Sequence, residues 1–432
     1  MRILILSSEV WNDKINGNNV TSNWFEGMDA EIANIYGSPG EPYNKCCTRY
    51  FQITDIMMAK SIFTGKKAGK RVTYQVDKED GEAAEKEHRK LYCFLKSISG
   101  SFMRLIRELI WLWGRYDIKG LKNFINDFQP DIIFTERMAS VKMLRMERIV
   151  TQICDAPIVA FTGDDEYSLR QLSFSPFFWI NRFMVRKMLR GMVEKYQIYY
   201  TLSDEQKRDY EIRFNCRMKI LRKCGSFDYE YIGKNVHKPI RLIYAGKLYC
   251  GRWKALAEIA EALSEINKDE VKAILEIYTT DRVTKAQMAA LNDKRNSIIK
   301  GAVTQEELKK RYHKSDIALH VESHDIQYKW RTRLSFSTKI IDCIFSGCAV
   351  LAYCWEGQSG WRYLKREKAA ICVSDKDEMR KALNQIVKNP HTIQNYEKQA
   401  YICGIKNHDK RRIQSELTDD FSRIIAMDVV RK

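Results

Sequence analysis

Short apolar runs alternate with longer amphipathic stretches along nearly the whole chain. The runs at 2–8 (RILILSS), 131–136 (DIIFTE), 157–163 (PIVAFTG), 197–203 (QIYYTLS), 241–247 (RLIYAGK), 272–280 (KAILEIYTT), 316–323 (DIALHVES), 349–355 (AVLAYCW) and 369–374 (AAICVS) each read as a buried strand. Segments between them, such as 253–266 and 306–313, carry helical spacing. Strands buried on both faces and alternating with helices predict parallel sheets covered by helices. The series is too long for one sheet. A strand at MKILRKCG, the polar stretch 227–239 and the fresh strand RLIYAG place a boundary between 232 and 233. Two doubly wound Rossmann-like domains, 1–232 and 233–432, are therefore expected.

Composition narrows the classes. With 432 residues, 45% of them hydrophobic and 11% aromatic, the chain can bury real cores, which excludes a disordered protein and a lone small module. The net charge of +18 favours an anionic partner: nucleic acid, acidic lipid or a phosphate-bearing small molecule. The bases are scattered over both halves, and no helix-turn-helix, finger or RNA-binding signature is present, so nucleic acid is not the expected partner. The first apolar run is too short for a signal peptide, and no run reaches the length of a spanning helix. The 12 cysteines lack zinc spacing and are expected to be reduced thiols in a cytoplasmic protein.

In open α/β sheets ligands sit beyond the carboxyl ends of the strands, so chemistry is sought there. The segment Y-A-G-K-L-Y-C-G-R-W-K ends a strand at Gly246 and opens a helix near Trp253, gathering Lys247, Arg252 and Lys254 beside glycines. That suits a diphosphate, because glycine admits the backbone and cations neutralise charge; a solvated basic loop explains the residues equally well. A GxxxxGK[ST] phosphate loop is absent. In F-S-T-K-I-I-D-C-I-F-S-G-C-A-V, Ser337 and Thr338 read as a helix N-cap followed by Lys339, a second anion site, and Asp342 lies one turn in, where a carboxylate can accept ribose hydroxyls or simply favour the helix dipole.

The order strand-G-K-L…R-W-K, then I-I-K-G-A-V-T-Q-E-E-L, then F-S-T-K…D…S-G-C-A-V resembles the carboxyl-terminal domain of GT-B fold glycosyltransferases, especially those similar to glycosyltransferase family 4. The resemblance is good over 240–374 and loose before it. It implies an α/β fold of two Rossmann-like domains facing a central cleft. The first would bind acceptor and the second a nucleotide sugar, with the C-terminal helix crossing back. By position it implies Lys247, Arg252 and Lys254 on the donor diphosphate, Val303 on the base and Asp342 on the ribose, and the helix start at Ser337, Thr338 and Lys339 is the second anion site beside them. It implies sugar transfer from a nucleotide-diphosphate donor to a glycan or lipid-linked acceptor in cell-surface polysaccharide synthesis. The reaction would be retaining, without metal or other cofactor.

Two positions depart from the family. Where a first glutamate normally contacts the donor sugar, this chain has Leu334, which leaves sugar identity and stereochemistry open. Where many relatives carry a histidine after the DIIFTE strand, it has Glu136, a candidate base or hydroxyl-orienting carboxylate. A GT-B domain that has lost catalysis and serves as a binding partner is the competing reading. The loop N-G-N-N, ahead of the helix-like EGMDAEIA, points to Gly17, Asn18 and Asn19 on the acceptor, and G-D-D-E adds Asp164. Lastly, 173–196 has an aromatic entry (Phe177, Phe178, Trp179), an apolar face ending at Tyr196, and a stripe of Arg182, Arg186 and Arg190. That stripe would suit the head groups of an anionic membrane, whereas core packing explains the apolar face.

Overall fold

The computed structural model describes residues 1–14, 20–73, 100–138, 140–165, 167–227 and 230–431. Contacts divide the chain into two units, 1–221 joined by 413–432, and 222–412, so the division falls ahead of the 232/233 position read from the sequence.

The first unit holds β1 (Arg2–Ser7), β2 (Glu31–Tyr36), β3 (Arg49–Gln52), β4 (Lys70–Thr73), β5 (Ile132–Arg137), β6 (Ile158–Thr162), β7 (Tyr196–Thr201) and β8 (Met218–Ile220). They form one sheet in the order β4-β3-β2-β1-β5-β6-β7-β8, parallel except for β4. Its helices are α1 (Val20–Phe25), α2 (Asp55–Thr64), α3 (Ser101–Trp113), α4 (Ile118–Phe128), α5 (Val141–Ile153), α6 (Pro176–Val193) and α7 (Asp204–Glu211). Leu4 and Leu6 of β1 join a core with Met58, Trp111, Phe124, Met146 and Leu189 from α2 to α6. On the other face Phe134 meets Phe25 of α1, with ring centroids 5.3 Å apart, and Phe421, 6.2 Å away, in the C-terminal helix.

The second unit holds β9 (Ile240–Ala245), β10 (Ala273–Tyr278), β11 (Ser297–Gly301), β12 (Ile317–Val321), β13 (Ala349–Tyr353) and β14 (Ile371–Val373), in the order β11-β10-β9-β12-β13-β14. It adds α8 (Arg252–Ile266), α9 (Lys285–Leu291), α10 (Gln305–His313), α11 (Ile326–Thr332), α12 (Lys339–Ile344), α13 (Ser359–Arg366), α14 (Lys376–Lys388) and α15 (His391–His408). The last helix, α16 (Lys410–Arg431), starts in this unit and from Ile413 onward packs with the first. Each sheet reverses its strand order once, at β1/β5 and at β9/β12, and these are the topological switch points where doubly wound folds bind ligands.

Two readings of local structure are corrected. EGMDAEIA is not a helix: α1 ends at Phe25, Gly27 adopts φ 87°, and a buried strand begins at Glu31. The pattern misled because buried Asn34 interrupts the apolar run. Its amide donates to Ile5 O (3.1 Å) and Ser7 Oγ (3.0 Å), which is why the strand tolerates it.

The basic stripe of α6 is also largely engaged by the protein itself, although Arg190 is exposed. Arg182 is buried, donates to Ser168 O (2.7 Å) and Asp165 O (2.8 Å), and pairs with the Asp165 carboxylate at 3.5 Å. Arg186 reaches Tyr167 O and Arg190 Nε donates to Tyr167 OH at 2.5 Å. Arg182 and Arg186 thus satisfy carbonyls of the loop after β6 while Arg190 meets a hydroxyl there, and Tyr196 starts β7 rather than closing the helix.

Candidate functional site

At the second switch point the chain leaves β9 through Gly246 and Lys247 and enters α8 at Arg252. Gly251 caps that helix with φ 74°, and a Cβ there would lie 2.4 Å from Ser323 Oγ, so both backbone conformation and space require glycine. This sets Arg252 against the end of β12, where buried Glu322 takes a two-pronged hydrogen bond, Nε to Oε2 at 3.0 Å and a terminal nitrogen to Oε1 at 2.8 Å. Burial opposes the Arg252 charge, and Glu322 more than offsets it, so the guanidinium is raised above its ordinary pKa.

Lys339, the first residue of α12, reaches the same place. Its Nζ donates to Tyr244 OH at 3.2 Å and lies 1.9 Å from where a Cβ on Gly246 would stand, so the bare backbone makes room for the ammonium. Burial, aided by the Arg252 charge, brings Lys339 down to about 8. On β12, buried His320 has an unpartnered Nε2, and burial with the Arg252 and Lys339 charges holds it neutral, at about 3. Lys247 stands exposed with its Nζ 5.8 Å from the Tyr249 ring centroid, and Tyr244 OH donates to its carbonyl at 2.7 Å.

Other candidates lie differently. Lys254, on the first turn of α8, pairs with Asp325 at 2.8 Å at the surface. Val303 is half-buried in the turn after β11, at the edge of the sheet. Thr338 occupies the cap position of α12, yet its side chain makes no cap bond there, and Ser337 contributes only its carbonyl to Ile340 N (3.0 Å). The capping expected of those hydroxyls is therefore not formed. Asp342 is ion-paired with Lys223, so its carboxylate already has a cationic partner. Leu334 is buried in the core, where a glutamate would need a partner.

At the first switch point Ser7 and Glu136 are register partners at the carboxyl ends of β1 and β5. Thr21 Oγ1 of α1 donates to Glu136 Oε2 at 2.9 Å. Burial raises the Glu136 pKa; the Thr21 bond works against this and the Glu9 charge with it. Lys142 of α5 is buried behind these strand ends and donates to Ser8 O (2.9 Å) and Gly37 O (3.0 Å), joining the loops after β1 and β2. Asp164 is exposed, and its carbonyl accepts from Gln206 Nε2 at 2.7 Å. Gly17, Asn18 and Asn19 lie outside the described residues.

The sequence placed Glu322 among the strand-end residues where chemistry is sought but not its pairing with Arg252, and it gave no role to Tyr244, Thr21 or Lys142. Lys142 offered no signal, because it sits among helix positions that tolerate lysine. Among the described residues no cluster of three His, Cys, Asp or Glu side chains could hold a metal.

Residues 278–418 match the family model described as glycosyl transferase-like. No curated protein matches the chain in sequence. Among solved structures it is similar to the E. coli trehalose-6-phosphate structure bound with UDP-2-fluoro glucose, at 10% identity over 98% of this chain and 99% of that one, with a TM-score of 0.58. The alpha,alpha-trehalose-phosphate synthase (UDP-forming) from Burkholderia vietnamiensis matches at 10% identity, 98% and 100% coverage, and TM-score 0.57. Anabaena HepE, in complex with UDP and glucose, matches at 10% identity, 98% and 100% coverage, and TM-score 0.59. The chain therefore has the GT-B fold of glycosyltransferases, with a glycosyl transferase-like segment over residues 278–418.

Proposed function

We propose that this protein transfers a sugar from a nucleotide-diphosphate donor, a UDP-sugar, to a hydroxyl of a glycan or lipid-linked acceptor in cell-surface polysaccharide synthesis. The observation that carries this reading is the gathering of Arg252, Lys339 and Lys247 around Gly246 and Gly251 at the switch point of the second sheet. Preorganised cations stabilise a diphosphate leaving group as its charge develops, and fixed charges of this kind usually do more to lower such a barrier than any other group the protein supplies. Asp342 lies one turn into the helix that Lys339 opens and is the carboxylate this reading gives to the ribose.

In the first unit Glu136 supplies the carboxylate that orients the acceptor hydroxyl or takes its proton. Its raised pKa moves it toward the range where a carboxylate is a useful base. The kinship to family 4, retention at the anomeric carbon and independence from metal belong to this proposal. Gly17, Asn18, Asn19 and Asp164 remain its acceptor candidates, and Val303 its contact for the base.

The test is a thermal-shift panel of UDP, GDP, CMP and ADP followed by UDP release from a panel of UDP-sugars. Stabilisation by excess nucleotide follows affinity. Selective stabilisation by UDP together with sugar-dependent release supports the reading. Buried Leu334, where a sugar-contacting glutamate would stand, favours a second reading, a nucleotide-binding protein without transfer, and UDP binding with no release from any sugar would select it.

A further inference from the structure

The side of α6 opposite its buried Val185, Leu189 and Met192 is apolar and exposed. Ile180 is 52% and Phe183 55% exposed, Phe174 just ahead of the helix is fully exposed, and Phe102 at the start of α3 is 51% exposed. Phe102 and Phe177 bring the two helix starts together, with ring centroids 5.0 Å apart. Ile180, Phe183 and Lys187 recur at the spacing that places them along one outward stripe. Large exposed aromatic surface of this kind marks an interaction site on a water-soluble fold.

Charge identifies the partner. From Tyr167 through Val193 the chain has five bases and no acid. Arg170 and Lys187 are exposed there. The acid of α3, Glu108, is buried and accepts from Val141 N at 2.8 Å, so it does not face outward. A second copy of the chain would bring these bases against their own kind. An anionic bilayer answers both features, with phosphates for the bases and the head-group boundary for the rings. Among the described residues no helix is long and apolar enough to cross a membrane, so the contact is one of lying on it.

We propose that Phe102, Phe174, Phe177, Ile180 and Phe183, flanked by Arg170 and Lys187, form a docking face for an anionic lipid bilayer. This differs from the sequence expectation in its charges: Arg182, Arg186 and Arg190 hold the Asp165–Tyr167–Ser168 loop, and the lipid-facing bases are others. The proposal is independent of the transferase reading.

The experiment is co-sedimentation of the full chain with vesicles of phosphatidylcholine alone or mixed with phosphatidylglycerol. Binding is expected only to the mixed vesicles. The double variant Phe174→Ser and Phe183→Ser should weaken it by about ten-fold or more, given the apolar area of two rings. Arg170→Glu with Lys187→Glu should weaken it by about five-fold per base. All these side chains are exposed, so melting temperature and UDP-induced stabilisation should match the wild type, which separates lost docking from lost folding. Three results would overturn the proposal: wild type left in the supernatant at low salt, equal binding to neutral vesicles, or a dimer dissolved by Phe183→Ser in a protein that ignores lipid.

Discussion

At the switch point of the second sheet Lys247, Arg252 and Lys339 surround two glycines, with Glu322 fixing one of the three cations. At the matching point of the first sheet the groups are Ser7, Thr21 and Glu136, with the Glu9 charge close enough to act on Glu136, while Lys142 is turned inward onto backbone carbonyls. The same topology thus ends in a cationic site in one unit and a carboxylate site in the other. Strand order creates the crevice, and the residues after each strand decide what enters it. Both sites also carry the electrostatic mark of a charge that lacks full compensation. Lys339 is pulled below the ordinary lysine value and Glu136 pushed above the ordinary glutamate value. An anion relieves the first, and a hydroxyl that donates to the carboxylate relieves the second.

The sharpest way to break this comparison is to disable one side while measuring both. Glu136→Gln keeps size and lets the side-chain oxygen go on accepting from Thr21, yet it cannot take a proton. If Glu136 is the base, kcat for sugar transfer should fall by about 10²–10⁴, the usual range for general base catalysis, with UDP affinity unchanged. A loss below about ten-fold would reduce Glu136 to a neighbour of the acceptor.

On the cationic side, Arg252→Ala and Lys247→Ala should separate. Removing Arg252 leaves Glu322 buried and unpaired, which costs on the order of 3–5 kcal/mol of stability in addition to diphosphate affinity. Lys247 is exposed, so Lys247→Ala should leave the melting temperature alone and weaken UDP by the amount of one charge-assisted contact, about 1.5–3 kcal/mol. Calorimetry of UDP binding beside thermal melts reads both. Equal melting temperatures for the two variants would mean that Glu322 does not fix Arg252.

These distinctions mark where the sequence was legible. Strands buried on both faces announce themselves as unbroken apolar runs, which is why β1, β5, β6, β9, β12 and β13 were visible. β2 was not, because Asn34 breaks its run and its partners on β1 are distant in sequence. β3 and β4 have only four residues each, too few for a period to register. In the site, Lys247 and Arg252 stood out because bases and glycines share one turn. That Arg252 is gripped by Glu322, and that Arg182 and Arg186 of α6 are held by the loop after β6, depends on pairings between separate segments of the chain, and spacing along one helix cannot tell which face meets the rest of the protein.

A pH series sharpens the comparison through Lys339 alone. Its folded pKa is near 8 and its ordinary value 10.5, so the buried ammonium opposes folding at neutral pH and this opposition fades as pH rises through 8. Diphosphate binding has the reverse sense, because the anion needs the protonated form. UDP affinity should therefore fall by up to about ten-fold between pH 7 and 9, following the protonated fraction. Lys339→Met should bind more weakly at pH 7 and show a flat profile. A wild-type profile that is itself flat would mean that the diphosphate does not meet this ammonium.

The smallest effect belongs to Asp342, and its ion pair decides how it should be tested. A ribose hydroxyl must share the carboxylate with Lys223, so one neutral hydrogen bond, about 0.5–1.5 kcal/mol, is the most the exchange should yield. Wild type should then prefer UDP over its 2′,3′-dideoxy analogue by about two- to ten-fold. Asp342→Asn should lose most of that preference. Lys223→Met removes the cation that competes for the carboxylate, so the preference should widen while affinity for the dideoxy analogue stays near wild type. If wild type and Lys223→Met both bind the two nucleotides equally, Asp342 serves the fold through its lysine, and the ribose lies elsewhere in a site whose diphosphate end would still be set by Arg252 and Lys339.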